Sequence, residues 1–397
     1  MEQVLDIGAF LEPDKFRLGL GGFYPTHIKR TPLINFITAF IYFITFCQVA
    51  SVVNYALSTE DLTKVSEIFL FSMTQVAFIN KVLKYHFNFH KLAALDQQVA
   101  QDMFTRVNSV ELKIWKDAFN SGQMVVKIYL TTCFGVILSY GLVPLLKILT
   151  IGGKHYPFPS KFPFNPDNYY GFIFIGEVMA VGVSAWINGS LDGLFTKHTI
   201  IATTQCTILC EKITQLLENT NDDHKVHDRI RHCIIYYNEI ITYITNIEDI
   251  FSFGIFIQFL CSGVVICLTG FQLMVSDEKG QFGLLLLYLI CMTFQLMLYC
   301  WYGHCLMQES NDITRACYII KWEDINVNNR RMLMMMMERA KKPLAIKALG
   351  IFGLNLATYM TASIQGCPLV RQRFWSLKEA KNGQLSGTKE RRCLRIW

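Results

Sequence analysis

The stretch FSFGIFIQFLCSGVVICLTGFQLMV, residues 251–275, contains no charged side chain. At ~1.5 Å rise per residue, an apolar run of about twenty residues or more matches the ~30 Å hydrocarbon thickness of a bilayer. Lipid offers the backbone no hydrogen-bond partner, so such a run crosses as a helix. Six further runs of the same kind lie on either side of it: Leu33 to Val53, Val65 to Tyr85, Met124 to Ile148, Gly171 to Leu191, Phe282 to Leu306 and Leu344 to Gly366, the second being the least apolar. The pattern predicts an all-α membrane protein with seven transmembrane helices.

Composition agrees with this. Hydrophobic residues make up 52% of the 397 and charged residues 17%, more apolar surface than a soluble domain can bury. The net charge of +6 sits in loops flanking the apolar runs and not on an aromatic-interleaved face, which argues against nucleic acid and for membrane orientation. The first twenty residues carry Glu2, Asp6, Glu12 and Asp14 without a basic start, so no cleaved signal peptide is expected. Thirteen cysteines are present, six of them (Cys47, Cys133, Cys261, Cys267, Cys291, Cys300) inside apolar runs and none in a CxxC pair; they read as small hydrophobes.

Lysine and arginine set the orientation. Twenty-two lie in the amino-terminal arm and the segments 81–123, 192–250 and 307–343, against Lys64, Lys154, Lys161 and Lys279 in the opposite loops. Basic residues stay in the cytoplasm, so the amino terminus is expected inside and the carboxyl terminus outside. The parts are then a cytoplasmic arm (1–32), a six-helix bundle with cytoplasmic extensions (33–306), a cytoplasmic segment (307–343), a seventh helix (344–366) and a basic tail (367–397). Val226, Ile230, Ile234, Tyr237, Ile241, Ile244 and Ile247 recur at helical spacing and run into the fifth span, which predicts one long helix reaching below the membrane. Pro343 follows the run Met332–Met337 and is expected to split the last helix into two parts.

No HExxH, GxSxG or phosphate-cradling glycine loop occurs, and His304 and Cys305 lack companions for a metal; neither an enzyme nor a metal or other cofactor is expected. Glu177, inside the fourth run, must face water or a partner because an ionised carboxylate in lipid costs several kcal/mol. The outward halves of the middle helices are rich in aromatic and sulfur side chains. A pocket for a small apolar molecule is expected from Phe69, Met73, Tyr140, Tyr170, Phe174, Phe271, Tyr288 and Met292, with the hydroxyl of Ser139 or Thr293 and with Glu177 as polar groups.

From Gly303 the chain reads GHCLMQESNDITRACYIIKWEDINVNNRRMLMMMMERAKKPLAIKALGIFGLNLATY. Ser310, Tyr318, Trp322, the Lys342–Pro343 step and the LNLxT[FY] start at Leu354–Tyr359 resemble the carboxyl-terminal region of insect odorant receptors. The resemblance implies an odorant-gated cation channel of four subunits, a co-receptor shared across the family, and ligand held between the second and sixth helices in their outer half. It implies a pore lined by the seventh helix, here at Thr358, Thr361, Ala362 and Gln365, and a cytoplasmic subunit anchor, here at Trp322, Met334 and Pro343. The expected partners are thus a co-receptor subunit, a small volatile hydrophobic ligand and the lipid bilayer, at the plasma membrane of sensory neurons.

The resemblance stops at Gly366. Cys367, Pro368 and a tail with eight basic residues depart from the family's aromatic and apolar ending, as a misread final exon would. Two other classes compete. Thr358, Tyr359 and Gln365 reproduce part of the TYxxxxxQF pattern of gustatory receptors, with Gly366 where Phe belongs. A G-protein-coupled receptor has the opposite orientation and needs a DRY and an NPxxY that this chain lacks, and a transporter needs related halves that are not seen.

Overall fold

A computed structural model of the chain describes residues 3–24, 31–60, 62–158, 160–162, 166–218, 222–275, 279–320, 322 and 325–362. In chain order the elements are β1 (Gln3–Val4), α1 (Gly8–Leu20), α2 (Pro32–Ala56), α3 (Leu62–Phe87), α4 (Phe89–Val99), α5 (Asp102–Thr105), β2 (Arg106–Val107), α6 (Ser109–Ile151) and a 3-10 turn (Pro166–Tyr169). There follow α7 (Tyr170–Thr214), α8 (Asp223–Val275), α9 (Lys279–Ile319), α10 (Val327–Ala340), β3 (Lys347–Ala348), β4 (Phe352–Gly353) and α11 (Leu356–Met360).

Helices α6, α7, α8 and α9 contain 43, 45, 53 and 41 residues. At ~1.5 Å per residue they run roughly 60–80 Å, about twice the bilayer's hydrocarbon thickness, so each has a large part outside it. Among the described residues five helices, α2 and α6 to α9, are long and apolar enough to cross a membrane. Helix α3 is not one of them; it carries Lys64, Glu67, Lys81 and Lys84. Phe36, Phe40 and Phe43 of α2, Phe134 and Leu138 of α6, and Phe172 and Ile175 of α7 are exposed, an apolar belt of the kind that lipid solvates.

Local chemistry sets the element ends. Helix α6 begins at a reciprocal cap: Asn108 Oδ1 accepts from the Val110 and Glu111 amides at 2.9 and 2.8 Å, and Glu111 Oε2 accepts from the Asn108 amide at 2.8 Å. It ends at Gly152, whose φ of +76° suits glycine. The helical spacing from Val226 to Ile247 does continue unbroken through α8, with Ile230, Tyr237, Ile244 and Ile247 buried. The amino-terminal arm is folded: β1 pairs antiparallel with β2, and α1 packs on α7 through buried Phe10, Leu11 and Leu18. Lys197 of α7 pins it, 2.6 Å from Asp14 and donating to the Phe10 carbonyl at 2.7 Å.

The last segment is split at Pro343, and the interruption is longer than the sequence suggests. The helix expected from Leu344 begins at Leu356. Between them Ser310 of α9 accepts from the Leu344 amide at 2.9 Å, and β3 and β4 form a small antiparallel ribbon turning at Leu349 and Gly350, both at positive φ. These bonds satisfy the extended backbone in place of helical ones. Ile346, Ala348 and Leu354, in and beside the ribbon, are buried, and Asn355 Oδ1 caps α11 by accepting from the Thr358 amide at 2.9 Å. Gln365 and the basic tail lie outside the described residues.

Candidate functional site

Four helices line a cavity of about 100 Å³, and each contributes one helical stripe. Helix α3 supplies Phe71, Thr74, Gln75 and Phe78; α7 supplies Val181, Ser184, Ala185 and Asn188; α9 supplies Tyr288, Cys291, Met292 and Gln295. All three follow the spacing i, i+3, i+4, i+7 that puts side chains on one helix face. Helix α6 adds Tyr129, Cys133, Val136, Ile137 and Tyr140. The wall is mostly aromatic, aliphatic and sulfur, which suits a small apolar guest.

A polar network closes the end of the cavity nearer the long helical extensions. Lys81 Nζ donates to Asp192 Oδ1 and Asn188 Oδ1, both at 2.7 Å. Asp192 also accepts from Tyr129 OH at 2.9 Å, Tyr299 OH at 2.5 Å and Gln295 Nε2 at 2.5 Å. Each buried charge therefore has a charged partner and several dipoles, the condition under which burial is tolerated.

The other end is covered by the loop between α6 and α7. Buried Phe158 stacks on Tyr140 with ring centroids 4.8 Å apart and meets Phe71 at 4.5 Å. Behind these three rings lies a second space of about 130 Å³, bordered also by Glu67, Lys147 and His155. The loop is tied to the bundle by Ser160 Oγ, which donates to Glu177 Oε1 at 2.5 Å, and by the Lys161 carbonyl, which accepts from Asn54 Nδ2 at 3.1 Å.

Of the pocket residues read from the sequence, Tyr140, Tyr288 and Met292 border the cavity. Phe69 is half exposed on another face of α3, and Met73 packs on the core. Ser139 Oγ donates to the Gly135 carbonyl of its own helix at 2.8 Å. Tyr170 OH donates to the His155 carbonyl at 2.6 Å, and Phe174 packs on Tyr170. Glu177 holds the loop through Ser160 rather than facing the cavity, and Phe271 is on α8, which lends no residue to the wall. Phe71, Thr74, Gln75, Ser184, Asn188 and Gln295 escaped the sequence reading. The signal that finds them is the shared stripe spacing.

In the last segment, Thr358 Oγ1 donates back to the Gly353 carbonyl at 2.8 Å and Thr361 Oγ1 to the Ala357 carbonyl at 3.0 Å; Ala362 packs on the core. Met334 and Pro343 are exposed, and Trp322 Nε1 donates to the Tyr318 carbonyl at 3.3 Å.

A family model described as 7tm odorant receptor matches residues 61–363, across all four helices of the cavity. The chain belongs to the odorant receptor family. Among its relatives, odorant receptor 94a of Drosophila melanogaster is 23% identical over 80% of this chain and 82% of its own length. Odorant receptor 46a, isoform A, of the same fly is 22% identical over 91% and 96%. The solved structure of the insect olfactory receptor OR5 from Machilis hrabei in complex with eugenol superposes with a TM-score of 0.79 at 14% identity, covering 91% of this chain and 98% of that one. The chain thus has the seven-helix fold of an odorant receptor and is a multi-pass membrane protein.

Proposed function

We propose that this odorant receptor is the odorant-binding subunit of a ligand-gated, non-selective cation channel, assembled as a tetramer with the shared co-receptor in the plasma membrane of sensory neurons. The observation that carries the reading is the aromatic-walled cavity between α3, α6, α7 and α9. A guest that buries ~200 Å² of apolar surface there gains about 5 kcal/mol before the cost of its lost freedom. That suits a small volatile molecule and needs neither cofactor nor catalytic group. The Machilis hrabei receptor, solved with eugenol, holds a molecule of this class.

The distribution of basic residues supports a cytoplasmic amino terminus and an extracellular carboxyl terminus, with the loop that carries Phe158 on the outer face. Exposed Met334 and Met335 on α10, with Trp322 and Pro343 nearby in sequence, offer surface for the subunit anchor. Thr358, Thr361, Ala362 and Gln365 belong to the segment that lines the pore. Binding shifts a closed–open equilibrium by the odorant's difference in affinity for the two states.

Co-expression with the co-receptor, and current recording against an odorant panel, tests this. Tyr140→Ala and Met292→Ala are expected to raise half-maximal concentrations about tenfold, a loss of about 1.4 kcal/mol. Unchanged responses in both variants would remove the cavity from the reading. Silence from the chain as it stands, with currents from a version given an apolar ending after Gly366, would assign the fault to the basic tail.

A further inference from the structure

Most polar side chains on the cavity wall are already engaged by the protein. Thr74 Oγ1 and Tyr288 OH lie 2.9 Å apart, Ser184 Oγ donates to the Ala180 carbonyl at 2.8 Å, and Asn188 and Gln295 are held by the Lys81–Asp192 network. Gln75 differs. It is 4% exposed, and its Oε1 is the one buried polar atom without a hydrogen-bond partner among the described residues lining the cavity. Phe71 and Phe78, one turn to either side on the same face of α3, surround the amide with apolar surface.

A buried acceptor with no partner among the protein's own groups favours a guest that supplies a donor. The terminal torsion of glutamine is broad, so one hydroxyl can donate to Oε1 and accept from Nε2. An ether or ketone oxygen of the same size can only accept. A site with such a group rejects a guest lacking the hydroxyl more strongly than it rejects one lacking a methylene, because its own polar atom is then left unpaired.

We propose that Gln75 makes this cavity prefer small volatile alcohols and phenols over isosteric ethers. The proposal rests on the reading of the cavity as the odorant site and names the chemical class that the site takes.

The test uses the full chain with its co-receptor and two isomeric pairs, hexanol with methyl pentyl ether and para-cresol with anisole. In each pair the hydroxyl compound is expected to act at about tenfold lower concentration. Gln75→Leu and the roomier-chained Gln75→Met are expected to weaken the hydroxyl compound about tenfold, to leave the ether unchanged or stronger, and so to erase the preference. Equal responses to both isomers in the unaltered receptor, or variants that move both isomers together, would overturn the proposal. Tyr140→Ala separates this from failure of the underlying reading. If it shifts every response while the Gln75 variants leave the isomer ratio intact, only the hydroxyl preference is lost; if no variant moves any response, the cavity is not the odorant site. Should the pair pass no current, the same four compounds are ranked by the thermal shift they give the purified chain in micelles. The same order of ranking is expected, and its absence counts against the proposal.

Discussion

Lys81 Nζ lies 2.7 Å from Asp192 Oδ1, and the two side chains are 1% and 2% exposed. Removing one partner strands the other charge in the bundle, whereas removing both leaves no buried charge there, only neutral groups (Asn188, Tyr129, Tyr299 and Gln295) that each lose a hydrogen bond. Lys81→Met or Asp192→Leu alone is expected to destabilise the receptor by about 3–5 kcal/mol, and the double substitution by much less than the sum. Thermal unfolding of the purified variants in micelles measures the cycle. Additive losses would mean that the pair is not coupled.

Gly303 lets the last segment dock on α9. A Cβ built there would stand 2.5 Å from the Leu354 carbonyl oxygen and 2.7 Å from Leu354 Cβ, and the backbone cannot step aside cheaply. Gly303→Ala is expected to cost about 1–3 kcal/mol through overpacking and to loosen the ribbon ahead of α11. Proteolysis between Lys341 and Leu356 should quicken in the variant; an unchanged cleavage rate would show that the approach is less tight.

Phe71 and Tyr140 border both spaces, of about 100 and 130 Å³, and Phe158, which lines the second, packs on both rings and holds the partition in place. Phe158→Ala is expected to join them and to move the response along a straight-chain series toward longer members. Loss of a buried phenyl ring costs up to about 3–5 kcal/mol, so Phe158→Leu serves as the milder variant, with a smaller shift in the same direction. An unmoved optimum in both would place the ring outside the odorant's reach.

His198 sits in the part of α7 beyond the membrane span, with Nδ1 2.7 Å from Tyr243 OH. Burial above all, with Lys15 and Lys197 adding to it, pushes its pKa down from 6.5 to about 3. The unfolded chain takes up the proton first as pH falls, so this contribution to stability is complete above pH ~6.5 and is lost progressively toward pH ~3. His198→Asn is expected to flatten that part of the stability profile. An identical slope in the variant would assign the acid sensitivity to other groups.

The membrane helices were legible because each needs only length and apolarity, and the Val226–Ile247 spacing announced the long α8. The site was harder, for a reason of phase. A helix turns about 100° per residue, so Phe69 and Met73 stand about 200° from Phe71 and Gln75 and face elsewhere on α3. Nothing local distinguishes the two faces in a chain whose lipid side and core side are both apolar; which one turns inward is settled by packing against α6, α7 and α9.

The delayed start of α11 was hidden differently. Residues 344–353 are mostly apolar and fit a span by composition, and the reach of Ser310 to the Leu344 amide, of Glu248 to the Lys347 amide at 3.2 Å and the ribbon's own ladder hold them extended. Glu177 was legible as a group needing a partner, but its partner Ser160 sits in a loop whose path no periodicity foretells.

Phe158 is carried by a surface connection, the kind of segment that tolerates sequence change best. Because its ring touches Phe71 and Tyr140, alteration of a few positions between Gly152 and Lys161 can reshape the proposed odorant cavity while the long helices keep their packing. On that proposal, sensory range and structural integrity come under separate evolutionary control.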